Sequence, residues 1–373
     1  MKIKAAVVDK VNDPFVIKDD VELADMTDDG LQVKVVASGI CHSDEALRKG
    51  DAAFSFPVVL GHEGSGIVEK VGKNVTNFKP GDHIIMSFYS CGECDNCLKG
   101  KPTQCRKYAA SNLSGTRPDG SDHFTEDGHH VSDMFNQSSF TTHTVIDKRN
   151  AVKVPKDLDL RKLGPLGCGY VTGSGTVFNT LQPKPGDTIA VFGTGAVGLA
   201  AMMAGKISGC VNVIAVDIVD SRLELAKKMG ATDVVNSKNE DAVEAIKKIT
   251  GGLGVDWAVD TTGVAKVMTD SIAALTQGGT TATIAVTPHN IDISTWNDLC
   301  VDDKKIVGVN MGDSIPQVDI PRLIKFYQMG VFPFDLTEKF YDFDQINEAD
   351  ADSVSGETIK PILIIDKDYQ PGK

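Results

Sequence analysis

The sequence is short of positive charge, of cysteine and of long apolar runs, and each shortage excludes a class of protein. Lys and Arg number 38 against 51 Asp and Glu, a net charge of −13. Such a surface repels phosphate backbones and anionic lipid headgroups, so neither nucleic-acid nor membrane-surface binding is expected. Eight cysteines in 373 residues are about 2%, far below the roughly 8–10% of disulfide scaffolds. One uncharged run, residues 188–205, reaches the length of a short membrane span. Gly193, Gly195 and Gly198 break it, so it reads as a buried strand, a turn and a helix start. The opening Met1-Lys2-Ile3-Lys4 leads into an alternating stretch with Asp9 and Lys10, without the apolar core of a secretion signal, and a cytosolic protein is expected.

What is present bounds the fold. The length, with 41% hydrophobic residues, allows a sizeable core and exceeds one average domain, so two are expected. Up to about residue 149 short alternating segments such as Leu31-Gln32-Val33-Lys34-Val35-Val36 are separated by Gly, Pro and Asp turns, which predicts half-buried antiparallel strands. Residues 111–137, rich in Ser, Gly, Asp and His, read as a long surface excursion. From Gly169 onward strands alternate with helices. Strands are expected at 188–192, 212–217, 233–235, 257–260 and 280–286, with helices from 196 and at 221–229, 242–249 and 264–275. That rhythm implies a parallel sheet covered on both faces. Beyond about residue 310 it weakens, leaving a helix near 320–329 and a closing strand at 361–365.

Gly193-Thr194-Gly195-Ala196-Val197-Gly198 follows an apolar strand and opens a helix, and Asp217 ends the next strand. In that context the glycines allow a tight turn, close approach of backbone to a pyrophosphate and close helix–sheet packing, with the helix N-terminus facing the phosphates. Asp217 would accept hydrogen bonds from the adenosine ribose hydroxyls and repel a 2′-phosphate, so NAD is expected over NADP. The bland alternative is a glycine-rich turn that serves packing alone.

The cysteines are clustered. Cys91, Cys94, Cys97 and Cys105 supply four soft ligands on one loop, the donor set of a closed tetrahedral zinc site, which would contribute about 10 kcal/mol to folding. Two disulfides, an iron–sulfur cluster or a zinc-ribbon nucleic-acid module are the alternatives, and compartment and acidity argue against the first and last. Cys41, His62 and Cys168 are scattered, and each alone would pass as an ordinary core residue. Together they make a three-ligand set that leaves a fourth position open, the arrangement of Lewis-acid catalysis.

These pieces, in this order and spacing, resemble the zinc-dependent medium-chain alcohol dehydrogenases over essentially the whole chain. Residues 163–199 and Phe135-Asn136-Gln137-Ser138-Ser139-Phe140 are most similar to the benzyl- or aryl-alcohol branch. The resemblance implies an α/β fold of two domains: a mainly antiparallel GroES-like catalytic domain (1–169 and 311–373) carrying the structural-zinc lobe, and a doubly wound Rossmann NAD-binding domain (170–310). It implies two zinc ions, a catalytic one on Cys41, His62 and Cys168 and a structural one on Cys91, Cys94, Cys97 and Cys105. By the same resemblance Glu63 is the acid beside the metal and Asp44 the carboxylate that orients His62. Ser43 takes the substrate proton, and His42 and Lys360 face the pyrophosphate. Thr172 and Val197 pack on the nicotinamide, and Phe88 walls the substrate pocket. Relatives that relay the proton through a histidine five residues after the first Cys ligand differ from this chain, which has Ala46 there.

The expected reaction is hydride transfer from a primary alcohol, benzyl-type above all, to NAD, with a homodimer or homotetramer as the working form. An aliphatic-alcohol enzyme, a thiol-adduct formaldehyde dehydrogenase and a polyol dehydrogenase are alternatives on the same fold. Ala109, where thiol-adduct enzymes carry an Arg, argues against the second, and retention of Cys168 against the third. A non-enzymatic zinc protein would need the catalytic set broken, and it is intact. His83, His123, His129, His130, His143 and His289, with Cys210 and Cys300, are read as structural or solvated.

Overall fold

Alternation builds the first half of the chain. In the strand Gly30–Gly39, Leu31, Val33 and Val35 are fully buried while Gln32 and Lys34 face partly outward. In the computed structural model, which describes residues 1–372, this strand is central to the unit formed by Met1–Gly169, Ile315–Pro321 and Asp335–Lys373. Its neighbours are Glu63–Val71 and His143–Asp147, both antiparallel, and the C-terminal strand Lys360–Ile364. Leu31, Val33, Val35, Val68, Ile84 and Ile146 share one core. Beside this sheet Lys2–Val8, Val16–Leu23, Phe124–Glu126, His129–Asp133 and Val58–Val59 close a small barrel.

Two of those barrel strands come from residues 111–137, the stretch expected to be a surface excursion. Phe124 and Val131 lie in the barrel core, and His123 and Asp133 are buried. The buried polar groups find internal partners: Asp133 Oδ2 lies 3.2 Å from His123 Nδ1, and Thr144 Oγ1, from the next strand, lies 3.2 Å from Nε2. Burial is tolerated when partners are supplied internally.

The second unit, Tyr170–Ser314 with Arg322–Phe334, holds six parallel strands. In spatial order they are Asp233–Asn236, Asn212–Asp217, Thr188–Phe192, Val255–Asp260, Leu275–Thr283 and Lys305–Gly308. This is the 3-2-1-4-5-6 arrangement of a doubly wound sheet, whose dinucleotide crevice opens at the first strand's C-terminal end. Ile189 to Phe192 are buried without alternation because helices cover both faces. The strand expected at 280–286 starts earlier, at Leu275 beside Val255, and its register shifts before Thr280. Arg322–Phe334, expected with the first unit, belongs to the second. Phe326 lies 5.8 Å from the Phe178 ring, and Phe334 packs on Tyr170 and Tyr327 at 5.0 and 4.6 Å. No helix among the described residues is long and apolar enough to cross a membrane.

The turn after Thr188–Phe192 depends on glycine at two points. Gly193 sits at φ +90°, and a Cβ on Gly198 would overlap the Gly193 carbonyl oxygen. Gly198→Ala is therefore expected to lower the stability of the cofactor-free protein by about 1–3 kcal/mol, read from the shift of its urea midpoint. An unchanged midpoint would contradict this close packing.

Candidate active site

Cys41 follows the strand Gly30–Gly39 and caps the helix His42–Lys49. The cap brings in Asp44, fully buried, whose Oδ2 accepts from the Cys41 N–H at 3.0 Å. Its Oδ1 accepts from the Gly61 N–H at 2.9 Å and lies 3.0 Å from His62 Nδ1. A carboxylate in that position places the imidazole proton on Nδ1 and leaves Nε2 with a free lone pair. His62 Nε2 is buried without a hydrogen-bond partner, and its neighbours are sulfur: one ligand atom each from Cys41, His62 and Cys168 lie within 4.8 Å of one another. Cys168 arrives on the turn that follows Gly164–Gly167.

Electrostatics prepare the set. A hydrogen bond from Cys168, with the charges of Lys360 and His62, holds the Cys41 thiol well below the usual thiol range, while the same pairing and burial push Cys168 up. Burial disfavours a charged His62, but Asp44 and Cys41 outweigh it and raise the ring's pKa, so a metal bound at Nε2 would displace a proton there. An orphaned imidazole nitrogen beside a thiolate is the donor chemistry of a borderline-soft divalent metal, and the three residues fit zinc.

The four cysteines of the second cluster also lie within 4.8 Å of one another. Their sulfurs are 3.5 to 3.9 Å apart, beyond the roughly 2.05 Å of a disulfide, and all are free thiols. Backbone N–H groups of Arg106 and Cys97 bring Cys94 down to about 6, and burial pushes Cys97 up to about 12. Arg149 steadies the loop, bonding the Cys91 carbonyl and lying 4.7 Å over the Tyr89 ring.

In the second unit, Gly195 caps the helix Ala196–Ile207, and a Cβ there would meet nothing within 4 Å, so the turn leaves an open cradle at the helix N-terminus. Asp217 accepts at Oδ2 from the Thr194 N–H and hydroxyl (2.8 and 2.6 Å) and at Oδ1 from the Ile218 and Val219 N–H groups (2.7 and 3.0 Å). Thr172 is buried on the helix Gly169–Gly175, which packs so closely that a Cβ on Gly173 would overlap the Val197 carbonyl.

Residues 27–156 match the alcohol dehydrogenase GroES-like domain and residues 196–328 the zinc-binding dehydrogenase domain. Over 365 residues, 97% of each chain, the sequence is 40% identical to a geraniol dehydrogenase of Castellaniella defragrans. The chain belongs to the zinc-binding alcohol dehydrogenase family. Among solved structures, the benzyl alcohol dehydrogenase of Acinetobacter calcoaceticus is 42% identical with a TM-score of 0.94, covering 98% of this chain and 100% of its own. A zinc-binding alcohol dehydrogenase domain protein of Burkholderia ambifaria matches with the same identity and score, over 98% of this chain and 99% of its own.

The geometry of this alcohol dehydrogenase corrects one expected role. Lys360 does not face a pyrophosphate: it is buried, with Nζ 2.8 and 3.0 Å from the Glu63 carboxylate and 3.2 Å from the Ile40 carbonyl. The cause is Glu63, itself fully buried next to His62 and also accepting from the Gly169 N–H at 3.1 Å. Burial pushes the Glu63 carboxyl up to about 7 against the pull of Lys360, whose ammonium the pair in turn keeps charged against its own burial. Ser43 is half-buried with Oγ 3.8 Å from Cys41 Sγ, His42 is exposed, and Ala46 is buried. Phe88 is buried 5.6 Å from the Tyr108 ring, and Phe135 stacks on His62 at 5.1 Å. Sequence reasoning did not assign Thr194, Tyr108 or Phe135 to the site. Thr194 stood in plain view between two motif glycines, whereas the ring contacts depend on tertiary packing.

Lys360→Met would leave the Glu63 carboxyl in the interior without its cation, with an expected loss of about 3–5 kcal/mol in stability. Adding Glu63→Gln should recover much of it. Urea unfolding of the single and double variants checks this, and equal midpoints for both would refute the pairing.

Proposed function

We propose that this enzyme oxidises primary alcohols carrying a flat, aromatic substituent to aldehydes with NAD, holding one zinc on Cys41, His62 and Cys168 and a second on Cys91, Cys94, Cys97 and Cys105. The observation that carries this reading is the buried, unpartnered His62 Nε2 among two sulfurs, with its tautomer set by Asp44. Bound at the first set, zinc supplies Lewis acidity toward an alcohol oxygen, and the nicotinamide supplies the hydride acceptor. Ser43, next to the metal ligands and reaching the surface, takes the proton of the substrate hydroxyl and passes it outward. The buried Ala46 has no group to carry it further. Glu63 and Lys360 balance each other's charge behind the ligand set.

The open turn at Gly193, Gly195 and Gly198 and the helix N-terminus receive the pyrophosphate. Asp217, oriented by four donors, accepts from the adenosine ribose and disfavours a 2′-phosphate. Thr172 and Val197 flank the nicotinamide. The Phe135 ring on His62, with Tyr108 against Phe135 and Phe88 against Tyr108, supports an aromatic substrate, and so does the likeness to a benzyl alcohol dehydrogenase. The geraniol dehydrogenase relative favours a second reading, an allylic alcohol whose flat double bond takes the place of the ring. The edge strand Lys305–Gly308 supports a homodimer or homotetramer, and cysteines grouped as metal-ligand sets rather than paired in disulfides support a cytosolic setting.

Metal analysis of purified enzyme should find two zinc ions per chain, one for each ligand group, and Cys41→Ser should retain one while losing alcohol oxidation. Zinc-free active enzyme would sink the proposal. Across benzyl alcohol, geraniol, hexanol and ethanol, kcat/KM for benzyl alcohol should exceed that for ethanol by about a hundredfold. A preference for ethanol would defeat the aromatic reading, and Asp217→Ser should narrow the gap between NAD and NADP.

A further inference from the structure

Apart from the Phe135 ring, the segment Phe135-Asn136-Gln137-Ser138-Ser139-Phe140 has no role in the reading above, yet it is buried throughout. Three of its residues, Phe135, Asn136 and Ser138, sit at φ +57°, +49° and +43°, a left-handed conformation that side chains other than glycine avoid. Strain of this kind persists only where surrounding contacts over-determine it. Here the contacts converge on one short stretch of chain. The Val59 carbonyl accepts from Ser138 Oγ at 2.7 Å, Leu60 from the Phe140 N–H at 3.1 Å, Gly61 from the Ser139 N–H at 2.8 Å and His62 from Gln137 Nε2 at 3.1 Å. Four consecutive carbonyls leading up to and including His62 are thus held by one turn. The Phe135 ring also lies on the His62 imidazole, 5.1 Å between centroids and 23° between planes. Asn150 Nδ2 and the Asn112 carbonyl fix the Phe135 backbone at 3.0 and 2.8 Å.

We propose that residues 135–140 form a positioning clamp for the metal ligand His62, with Phe135 setting the ring plane and Gln137 the backbone. The proposal rests on the reading of Cys41, His62 and Cys168 as a zinc site. Asp44 constrains the imidazole within its own plane through Nδ1. Phe135 constrains it perpendicular to that plane, the one direction a hydrogen bond to Nδ1 leaves soft. Gln137 Nε2 bridges the His62 and Ser87 carbonyls, the second at 3.2 Å, and so ties the ligand's backbone to the strand end that carries Phe88.

The test is competition of the zinc-loaded enzyme against a chelator, combined with the visible spectrum of the cobalt(II)-substituted enzyme. The variants are Phe135→Leu, Phe135→Tyr and Gln137→Leu, with Phe140→Leu as a packing control from the same turn. Phe135→Leu and Gln137→Leu should weaken retention of the Cys41–His62–Cys168 metal by about 10- to 100-fold and alter the cobalt spectrum, with kcat falling more than KM changes. Phe135→Tyr should restore retention and spectrum, and the four-cysteine zinc should be held as before in every variant. Retention and spectrum unchanged in Phe135→Leu, or changed equally by Phe140→Leu, would overturn the clamp while leaving the zinc reading intact. Parent enzyme that holds no metal at this set would overturn both.

Discussion

One hydrogen bond, from His62 Nδ1–H to Asp44, sets the terms for the first unit. It decides which imidazole nitrogen is bare, and therefore whether a buried histidine beside two cysteines is a core residue or a ligand. Asp44 holds this position because it also caps the helix that begins at Cys41 and receives the Gly61 N–H. The acid is thus fixed by local backbone on both sides before it meets the imidazole. A single carboxylate couples the start of a helix, the entry to a strand and two of the three sulfur and nitrogen donors. Residues 135–140 meet the same histidine on its ring face, so that its orientation is set by the surrounding fold rather than by a flexible side chain.

Charge in this interior comes in compensated sets. Glu63 and Lys360, both deeply buried, neutralise each other immediately behind the donor cluster. Lys360 also holds the Ile40 carbonyl, one residue before Cys41. An ion pair of this kind contributes little net stability, because desolvation costs nearly what attraction returns. Its value is geometric, joining the C-terminal strand to the two segments that carry His62 and Cys41. An overall charge of −13 would not hinder an anionic cofactor at the turn proposed to receive it, where a helix N-terminus takes the place of side-chain cations.

Much of this was legible in the sequence because it depends on local patterns. The glycine spacing at 193–198 with Asp217 after the next strand, the four cysteines within fifteen residues, and the strand–helix rhythm after Gly169 each follow from short-range chemistry. The donor set Cys41, His62 and Cys168 was legible only in combination. What escaped was decided by long-range partners. Residues 111–137 looked exposed because their composition is polar, yet His123 meets Asp133 and Thr144 inside. Lys360 looked available to a phosphate, yet a carboxylate nearly three hundred residues earlier in the chain claims it. Arg322–Phe334 joined the second unit because its aromatic rings find Phe178 and Tyr170, a preference that periodicity alone does not reveal.

The central claim is that a sulfur-poor zinc site on Cys41, His62 and Cys168 exists beside a closed four-cysteine site. Zinc-edge X-ray absorption of the fully loaded enzyme tests it most directly, since it averages over both metals. The expected mean shell is about three sulfurs near 2.3 Å and about one nitrogen or oxygen near 2.0–2.1 Å per zinc. A shell of sulfur alone, or one without sulfur, would contradict it.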